Sequence, residues 1–294
     1  EIENDNITKK IEKTVKIINY DIANLDSTAI DWASWDDTYY FAIDKNNDYA
    51  ITNLMNDTFS YLEINFFIIL DTDGKIIYKK AYDLLEEKEI DFPKSLENSI
   101  SNNETFLITK SDSFVRGILN TEEHSVILTS RPILKSDSTG PIVGTLIIGQ
   151  FIDSSKVNNL SEISPNNIQL YKIDSPEADQ ILKDSPSDFL DGKKTYSKVI
   201  NDSTINGYGI LKDIYGAPGL LLEIEVPRDI YLALKKTSFY FLLATLGFSL
   251  LIGIAFLLVL EKGILSKIFT LEKEVKQIST KKDYSSRLNI HGDD

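Results

Sequence analysis

The sequence predicts an α+β protein built from one long N-terminal helix, two antiparallel-sheet modules and a membrane-spanning helix. Three observations support this fold class. Apolar residues recur every three or four positions from Ile7 to Trp32, as on one face of a helix. Short β-rich runs separated by turn residues then occur in two successive series. Finally, the stretch from Phe239 to Leu260 contains no charged residue.

Composition narrows the function class. The chain has 294 residues, 42% hydrophobic and 26% charged, which is ordinary for a folded protein. Its formal charge of −14 argues against nucleic-acid binding, because phosphate contacts need clustered Lys and Arg. The absence of cysteine excludes disulfides, thiol nucleophiles and cysteine-based zinc sites. His124 and His291 are too far apart in sequence to form a local metal motif.

An apolar seam marks the N-terminal helix. Its members follow a spacing close to 3.5 residues: Ile7, Ile11, Val15, Ile18, Ile22, Leu25, Ala29 and Trp32. Such spacing is typical of a coiled-coil seam between two chains. It is equally typical of an amphipathic helix that packs on its own domain. Both interpretations are open at the level of sequence.

The first module begins with "DWASWDDTYYF", which holds both tryptophans of the chain. A helical stretch is expected near Ala50 to Tyr61, followed by a β-hairpin around Asp73-Gly74. Pro93 to Ile100 reads as a short helix. Three strands are expected between Phe114 and Asp153, in "FVRGILN", "HSVILTSRPIL" and "PIVGTLIIGQFI".

The second module repeats this pattern on a smaller scale. Ser154 to Ile163 is expected to form a connecting helix, and "NNIQLYKID" the first strand. A loop rich in Ser, Pro and Asp covers Ser175 to Gly192. Three more strands are expected in "TYSKVIND", "NGYGILKDI" and "PGLLLEIEVPR".

The uncharged stretch from Phe239 to Leu260 is long enough to cross the ~30 Å hydrocarbon core of a bilayer. Lys235 and Lys236 flank one end, and Glu261 and Lys262 flank the other. A helical pattern resumes after it, with apolar residues at Leu265, Ile268, Leu271, Val275 and Ile278. The sequence therefore predicts one transmembrane helix that continues into an amphipathic helix.

Motifs for catalysis or metal binding are not found in the sequence. It contains no G-x-S-x-G, P-loop or H-E-x-x-H pattern. "DKNNDY" begins like an EF-hand loop, but Tyr49 stands where that loop needs Gly and Met55 where it needs Glu. We therefore expect no enzyme, no metal and no cofactor within these residues.

Several motifs occur together in a familiar order. "DWASWDDTYYF", "FIILDTDGKIIY" and "RGILNTEEHSVILTSRPILKSDSTGPIVGTLIIGQFID" resemble the fourth class of CHASE extracellular sensor domains of prokaryotic receptors. Residues 154–230 resemble the membrane-proximal half of a double Cache domain, whose two modules are PAS-like. The segment after the membrane helix resembles the start of a HAMP linker, although it lacks the usual early proline.

The resemblance implies a domain plan. A long N-terminal signalling helix would cover residues 1–31, a membrane-distal sensor module 32–153 and a membrane-proximal module 154–237. A transmembrane helix (238–260) and a partial HAMP linker (261–294) would follow. Residues 1–237 would be extracellular and 261–294 cytoplasmic. Because the chain opens on Glu inside a helix, we expect a piece of a longer receptor, with an output domain such as a histidine kinase beyond Asp294.

A ligand-sensing receptor region is the function these features favour, with a small ligand between the sheet and helices of the distal module. For its pocket we predict Trp35, Asp36, Tyr39, Arg116 and Arg131, since aromatic walls exclude water and Asp or Arg can fix an amine or a carboxylate. Each could instead serve packing, capping or a surface ion pair. We also expect a homodimer. The alternatives are a membrane-anchored adhesion protein and an anchored external hydrolase.

Overall fold

A computed structural model describes residues 2–137, 139–164, 166–191 and 195–281. The chain divides into two compact units, residues 1–228 and residues 229–294. The first unit contains two antiparallel sheets and the helices that cover them, and the described part of the second, residues 229–281, is helical. The chain is therefore α+β, with a long N-terminal helix and a C-terminal apolar helix, as predicted.

Helix α1 (Ile2–Ala33) is 32 residues long and carries the apolar seam. Six seam residues are buried, while Val15 and Trp32 are partly buried against the same core. The seam contacts strands of both sheets of its own chain. Its interpretation as an amphipathic helix packed on its own domain is therefore confirmed. The six buried seam residues pack within one chain, so the structure gives no support for a dimer through them, and dimerisation itself stays a prediction.

Three short helices follow: α2 (Asp36–Asp44), α3 (Asn47–Asn53) and α4 (Asn56–Leu62). The predicted helical stretch over 50–61 is broken at Leu54 and Met55. Lys45 and Glu63 end α2 and α4 in the left-handed conformation, with φ of 57° and 54°. These left-handed caps reverse the chain, so that α2 and α4 place Phe41 and Phe59 against Tyr78 and Tyr82 of the adjoining sheet.

The first sheet has six antiparallel strands in the order β3-β2-β1-β6-β5-β4. They are β1 (Phe66–Leu70), β2 (Ile76–Asp83), β3 (Lys88–Ile90), β4 (Val115–Asn120), β5 (Ser125–Pro132) and β6 (Thr145–Phe151). The predicted hairpin joins β1 and β2, with Gly74 at φ 79° in its turn. Helix α5 (Lys94–Ser101) matches the predicted short helix.

Both faces of the first sheet are buried at its central strand β1. Phe67 and Ile69 of β1 point into the core shared with α1, whereas Phe66 and Ile68 point into a second core with Leu96 of α5. This explains why β1 is a continuous apolar run instead of an alternating one. The middle of the sheet therefore separates two apolar cores, one with α1 and one with α5.

The second sheet has four antiparallel strands in the order β7-β10-β9-β8. They are β7 (Asn167–Lys172), β8 (Tyr196–Val199), β9 (Thr204–Lys212) and β10 (Pro218–Pro227). Helix α6 (Ser154–Ile163) connects the two sheets, and α7 (Pro176–Lys183) packs beside β7. The domain boundaries expected inside residues 1–228 stay a prediction.

Two glycines of β9 bring α1 close to the second sheet. A Cβ on Gly207 would lie 2.2 Å from Cγ2 of Ile7, and one on Gly209 would lie 2.7 Å from Cγ2 of Ile11. Real carbon atoms do not approach so closely without displacement. The "NGYG" of β9 is therefore the groove in which the first turns of α1 lie.

The second unit is a run of helix. Helix α8 (Asp229–Leu260) passes through a π-helical turn (Glu261–Leu265) into α9 (Ser266–Lys281). This helix is long and apolar enough to cross a membrane, with a mean hydropathy of 2.6 in its most apolar window. The predicted span 239–260 lies within it. The predicted HAMP-like "HGDD" end lies outside the described residues.

Candidate functional site

Trp35 stands at the junction between α1 and α2, where it precedes the first turn of α2. Its ring lies edge-on against Trp32, with centroids 5.6 Å apart, and 6.2 Å from the ring of Tyr49. Trp32 in turn meets Phe67 of β1 edge-on at 5.7 Å. The indole of Trp35 is 36% exposed, so it ends a chain of aromatic contacts that runs from the sheet to the surface.

Asp36 and Tyr39 lie together under the connection between β5 and β6. The exposed carboxylate of Asp36 accepts the backbone N–H of Ser136 at 2.9 Å, and this hydrogen bond lowers the pKa of Asp36. Tyr39 is buried, with Nζ of Lys135 5.5 Å from its ring centroid. Both side chains therefore hold this connection against α2.

The α2–α3 cavity is the concave feature nearest to these aromatics, with a volume of about 300 Å³. Its lining residues all come from α2, α3 and their connection: Asp37, Tyr40, Phe41, Asp44, Asn46, Asp48, Tyr49, Thr52 and Asn53. None of the five predicted pocket residues lines it. Trp35 is close, since its ring lies beside Tyr49 of the cavity wall.

The cavity combines an aromatic floor with acidic walls. The rings of Phe41 and Tyr49 are stacked, with centroids 4.6 Å apart and an interplanar angle of 21°. Burial raises the pKa of Tyr49, whose hydroxyl is within hydrogen-bond distance of Thr38 at 2.8 Å. No basic side chain is among the lining residues. The cavity is therefore suited to a ligand that carries a positive group, through the carboxylates of its lining.

Arg116 and Arg131 lie elsewhere, on strands β4 and β5, and both bind Asp26 of α1. Arg131 donates from Nε to Oδ1 of Asp26 at 2.7 Å and makes a second, short bond to Oδ2. Arg116 donates to Oδ2 at 2.9 Å, and the hydroxyl of Thr129 donates to Oδ1 at 2.8 Å. We call these four residues the Asp26 cluster.

The Asp26 cluster is mostly shielded from water. The side chain of Asp26 is 4% exposed and that of Arg131 16%, whereas Arg116 is 43% exposed. The ring of Phe114 stacks over both guanidinium groups, 4.1 Å from Cζ of Arg131 and 5.3 Å from Cζ of Arg116. Burial raises the pKa of Asp26, but the hydrogen bonds from Arg131, Thr129 and Arg116 outweigh it and leave the pKa below its usual value. Asp26 is thus held as an anion that ties α1 to the first sheet.

The structure therefore separates the five predicted residues into three places. Trp35 borders the α2–α3 cavity, Asp36 and Tyr39 hold the β5–β6 connection, and the arginines belong to the Asp26 cluster. Their role as ligand contacts stays a prediction. Sequence reasoning missed Asp26 and Tyr49. Asp26 does carry a signal, because it is an acid placed between Ile22 and Ala29 on the buried side of α1.

Metal binding has no support in residues 2–137, 139–164, 166–191 and 195–281. No three Asp, Glu or His side chains of these ranges lie close enough to hold a metal ion together.

Comparisons with known proteins agree on the kind of domain. The CHASE4 domain family model matches residues 17–171. The methanogenesis regulatory histidine kinase FilI of Methanothrix harundinacea is 28% identical over 293 residues, which cover 99% of this chain. The chain spans about a third of the length of that relative, 32%.

Two solved structures share the fold. The extracellular domain of vpHK1S-Z8, assigned as a histidine kinase, superposes with a TM-score of 0.54 at 13% identity and covers 79% of this chain and 95% of that one. A domain assigned to a sensory box/GGDEF family protein of Vibrio parahaemolyticus gives a TM-score of 0.53 at 11% identity, with coverage of 77% and 98%. At these identities the likeness concerns the fold alone.

Proposed function

The chain belongs to the CHASE4 family of sensor domains, and from this premise we propose how it senses and transmits a signal. It is the sensor region of a membrane receptor, and it is similar to the sensor region of a histidine kinase. The ligand, the direction of the signal and the output are the open parts. The proposal places the ligand in the α2–α3 cavity, the output in residues beyond 294 and residues 1–237 outside the cell.

The observation that carries the ligand site is the cavity of about 300 Å³ beside Trp35. This volume falls at the lower end of the range for small-molecule sites. Its three carboxylates, Asp37, Asp44 and Asp48, lie next to aromatic faces and face no basic residue of the lining. A small organic amine fits this chemistry, since its ammonium group would pair with these carboxylates.

Transmission would pass through α1. A ligand between α2 and α3 would change the packing of Trp35 on Trp32, which is partly buried against the sheet core. At its other end, Glu3 of α1 binds Arg228, where β10 has just ended, with bonds of 3.2 and 2.9 Å. Residue 228 directly precedes α8 in the chain. A shift of α1 would therefore reach the start of the apolar helix, and through it the HAMP-like segment 261–294.

A homodimer remains part of the proposal, because transmission along parallel helices needs a partner to move against. Its contact would use another surface than the seam of α1, which is buried within the chain.

Thermal unfolding of the 294-residue chain in nanodiscs tests the ligand site. We expect a saturable rise in Tm with at least one probe among ethanolamine, putrescine and choline, worth about 2.7 kcal/mol at a hundredfold excess over Kd. Tyr40→Ala and Asp48→Asn should weaken binding, because both residues line the cavity. Tyr20→Ala and Asp31→Asn, exposed on α1, are the matched controls. Binding that is equal in all four variants would contradict this site.

A further inference from the structure

A second, larger concavity lies between the two sheets of the first unit. We call it the module cleft, and its volume is about 690 Å³. Helix α5 and the β4–β5 turn form one wall, and the end of β7 with the start of α7 forms the other. Its nine lining residues supply four hydroxyls, two amides, two carboxylates and one ammonium group, and none of them is aromatic or aliphatic.

The base of the cleft is a set of hydrogen bonds between the modules. Nζ of Lys172 donates to the carbonyls of Thr121 at 2.6 Å and Glu122 at 3.0 Å. Nδ2 of Asn120 donates to the carbonyl of Gly219 at 2.7 Å, at the start of β10. These bonds join the edge of the first sheet to strands β7 and β10 of the second. The cleft is therefore located where the two modules are held together.

Three polar side chains on the walls have no hydrogen bond or ion pair with another described residue: Asn98, Glu122 and Asp174. All three are exposed. Asn98 belongs to α5 and Asp174 follows β7, so the two come from opposite walls. An amide and two carboxylates offer acceptors and donors together.

We infer that the module cleft is a second ligand site, for a neutral polyhydroxylated molecule such as a sugar alcohol. A hydroxyl group both donates and accepts, which matches a lining of hydroxyls, amides and carboxylates. Carboxylates form the stronger, charge-assisted bonds with hydroxyl donors. The lining has a net charge of −1, from Glu122, Asp174 and Lys172, so it disfavours anions. Without an aromatic platform it suits a flexible polyol better than a ring that needs stacking.

Such a ligand would bear on the contact between the modules. Its hydroxyl groups would form hydrogen bonds with Asn98 on one wall and with Asp174 on the other. It would therefore link the same two modules that the hydrogen bonds of Lys172 join. Its affinity would then depend on how the modules are placed, and by linkage it would favour one placement. This inference rests on the cleft alone and is independent of the α2–α3 cavity.

Isothermal titration calorimetry on the 294-residue chain in nanodiscs tests the inference, with glycerol, erythritol, mannitol and myo-inositol as probes. We expect saturable binding of at least one longer polyol. Asn98→Ala and Asp174→Asn should each weaken binding roughly fivefold to tenfold, the value of one lost hydrogen bond. Asn19→Ala and Asp31→Asn, on the exposed side of α1, should leave the affinity unchanged.

Polyols also stabilise proteins without binding, as excluded osmolytes, so a rise in Tm alone is not support. Heat that never saturates with any of the four probes would overturn the inference. Equal affinity in the cleft variants and in the α1 controls would overturn it as well. The side chains of Asn98 and Asp174 are exposed and make no hydrogen bond with the described part of the chain, so their replacement should leave the fold intact, which the Tm without polyol verifies.

Discussion

Replacing Asp26 by Ala should loosen α1 from the first sheet and destabilise the unit formed by residues 1–228. The substitution removes four hydrogen bonds at once and leaves Arg131 facing no carboxylate in the cluster, at 16% exposure. Removing one partner of a buried ion pair typically costs 3–5 kcal/mol. Because Arg116 is 43% exposed and can regain water, we expect the lower end, about 3 kcal/mol.

The assay is thermal unfolding of the chain in nanodiscs, followed by the near-UV signal of Trp32 and Trp35. A loss of about 3 kcal/mol corresponds to a fall in Tm of roughly 6 to 12 °C for a unit of this size. Asp31→Ala is the matched control, since Asp31 is an exposed aspartate of the same helix. That control should change stability by no more than about 0.5 kcal/mol.

A double variant separates the ion pairing from general damage. Asp26→Leu with Arg131→Met replaces the buried pair by apolar side chains, and such replacements are often neutral. The double variant should therefore lose less than the sum of the two single variants. If Asp26→Ala behaved like Asp31→Ala, or if the single effects simply added, Asp26 would not be the tie described above.

Three further outcomes are expected. Because the pKa of Asp26 is lowered in the fold, its stabilising contribution should be present above the unfolded pKa of about 4 and disappear as pH falls through the lowered pKa. Other carboxyl groups with a lowered pKa remain in Asp26→Asn, so unfolding in urea at stepped pH should show a smaller loss of stability on acidification in that variant than in the wild type. Gly207→Ala places a methyl 2.2 Å from Ile7 and should cost about 1–3 kcal/mol in Tm measurements, less than additively with Ile7→Ala. Arg228→Met removes the paired bonds to Glu3 and should speed amide hydrogen exchange in the first turns of α1; unchanged exchange would show that the pair does not hold that end.

Local patterns predicted most of the elements. The helix α1, the β1–β2 hairpin and the apolar helix each depend on residues that are close in sequence, so periodicity and turn residues suffice to find them. Strand β3 was not predicted, because it has three residues and begins with Lys88 and Glu89, which are exposed. A short polar edge strand has almost no pattern of its own.

The order of the sheet could not be predicted in the same way. Strand β1 lies between β2, its neighbour in sequence, and β6, which begins at Thr145. That pairing brings Phe66 opposite Gly149, where a Cβ would lie 2.1 Å from the Phe66 ring. The match between the large ring of Phe66 and the missing side chain of Gly149 can be recognised only once the strand pairing is known.

The partners of charged residues could not be predicted from sequence for a related reason. Arg116 and Arg131 are predicted as ligand contacts because a strand arginine can fix a carboxylate; in the structure both donate to the carboxylate of Asp26, 90 and 105 positions away. Sequence shows which charges exist, but burial and partners decide whether a charge is free for a ligand. Asp48 is part of the proposed ligand site for this reason, because it lines a cavity whose lining residues include no basic side chain.

The apolar spacing of the α1 seam fits two structures, a coiled coil and an amphipathic helix packed on its own domain. A coiled coil and a packed amphipathic helix both need an apolar residue every three or four positions, so Ile7 and Ile11 carry no preference by themselves. The preference comes from "NGYG", because two glycines on the same face of β9 leave room for two isoleucines one helical turn apart. A helix that packed farther from the sheet would not need glycine at these two positions. Glycines that alternate along a strand therefore mark a face that another element approaches closely, and the structure identifies that element as α1 of the same chain.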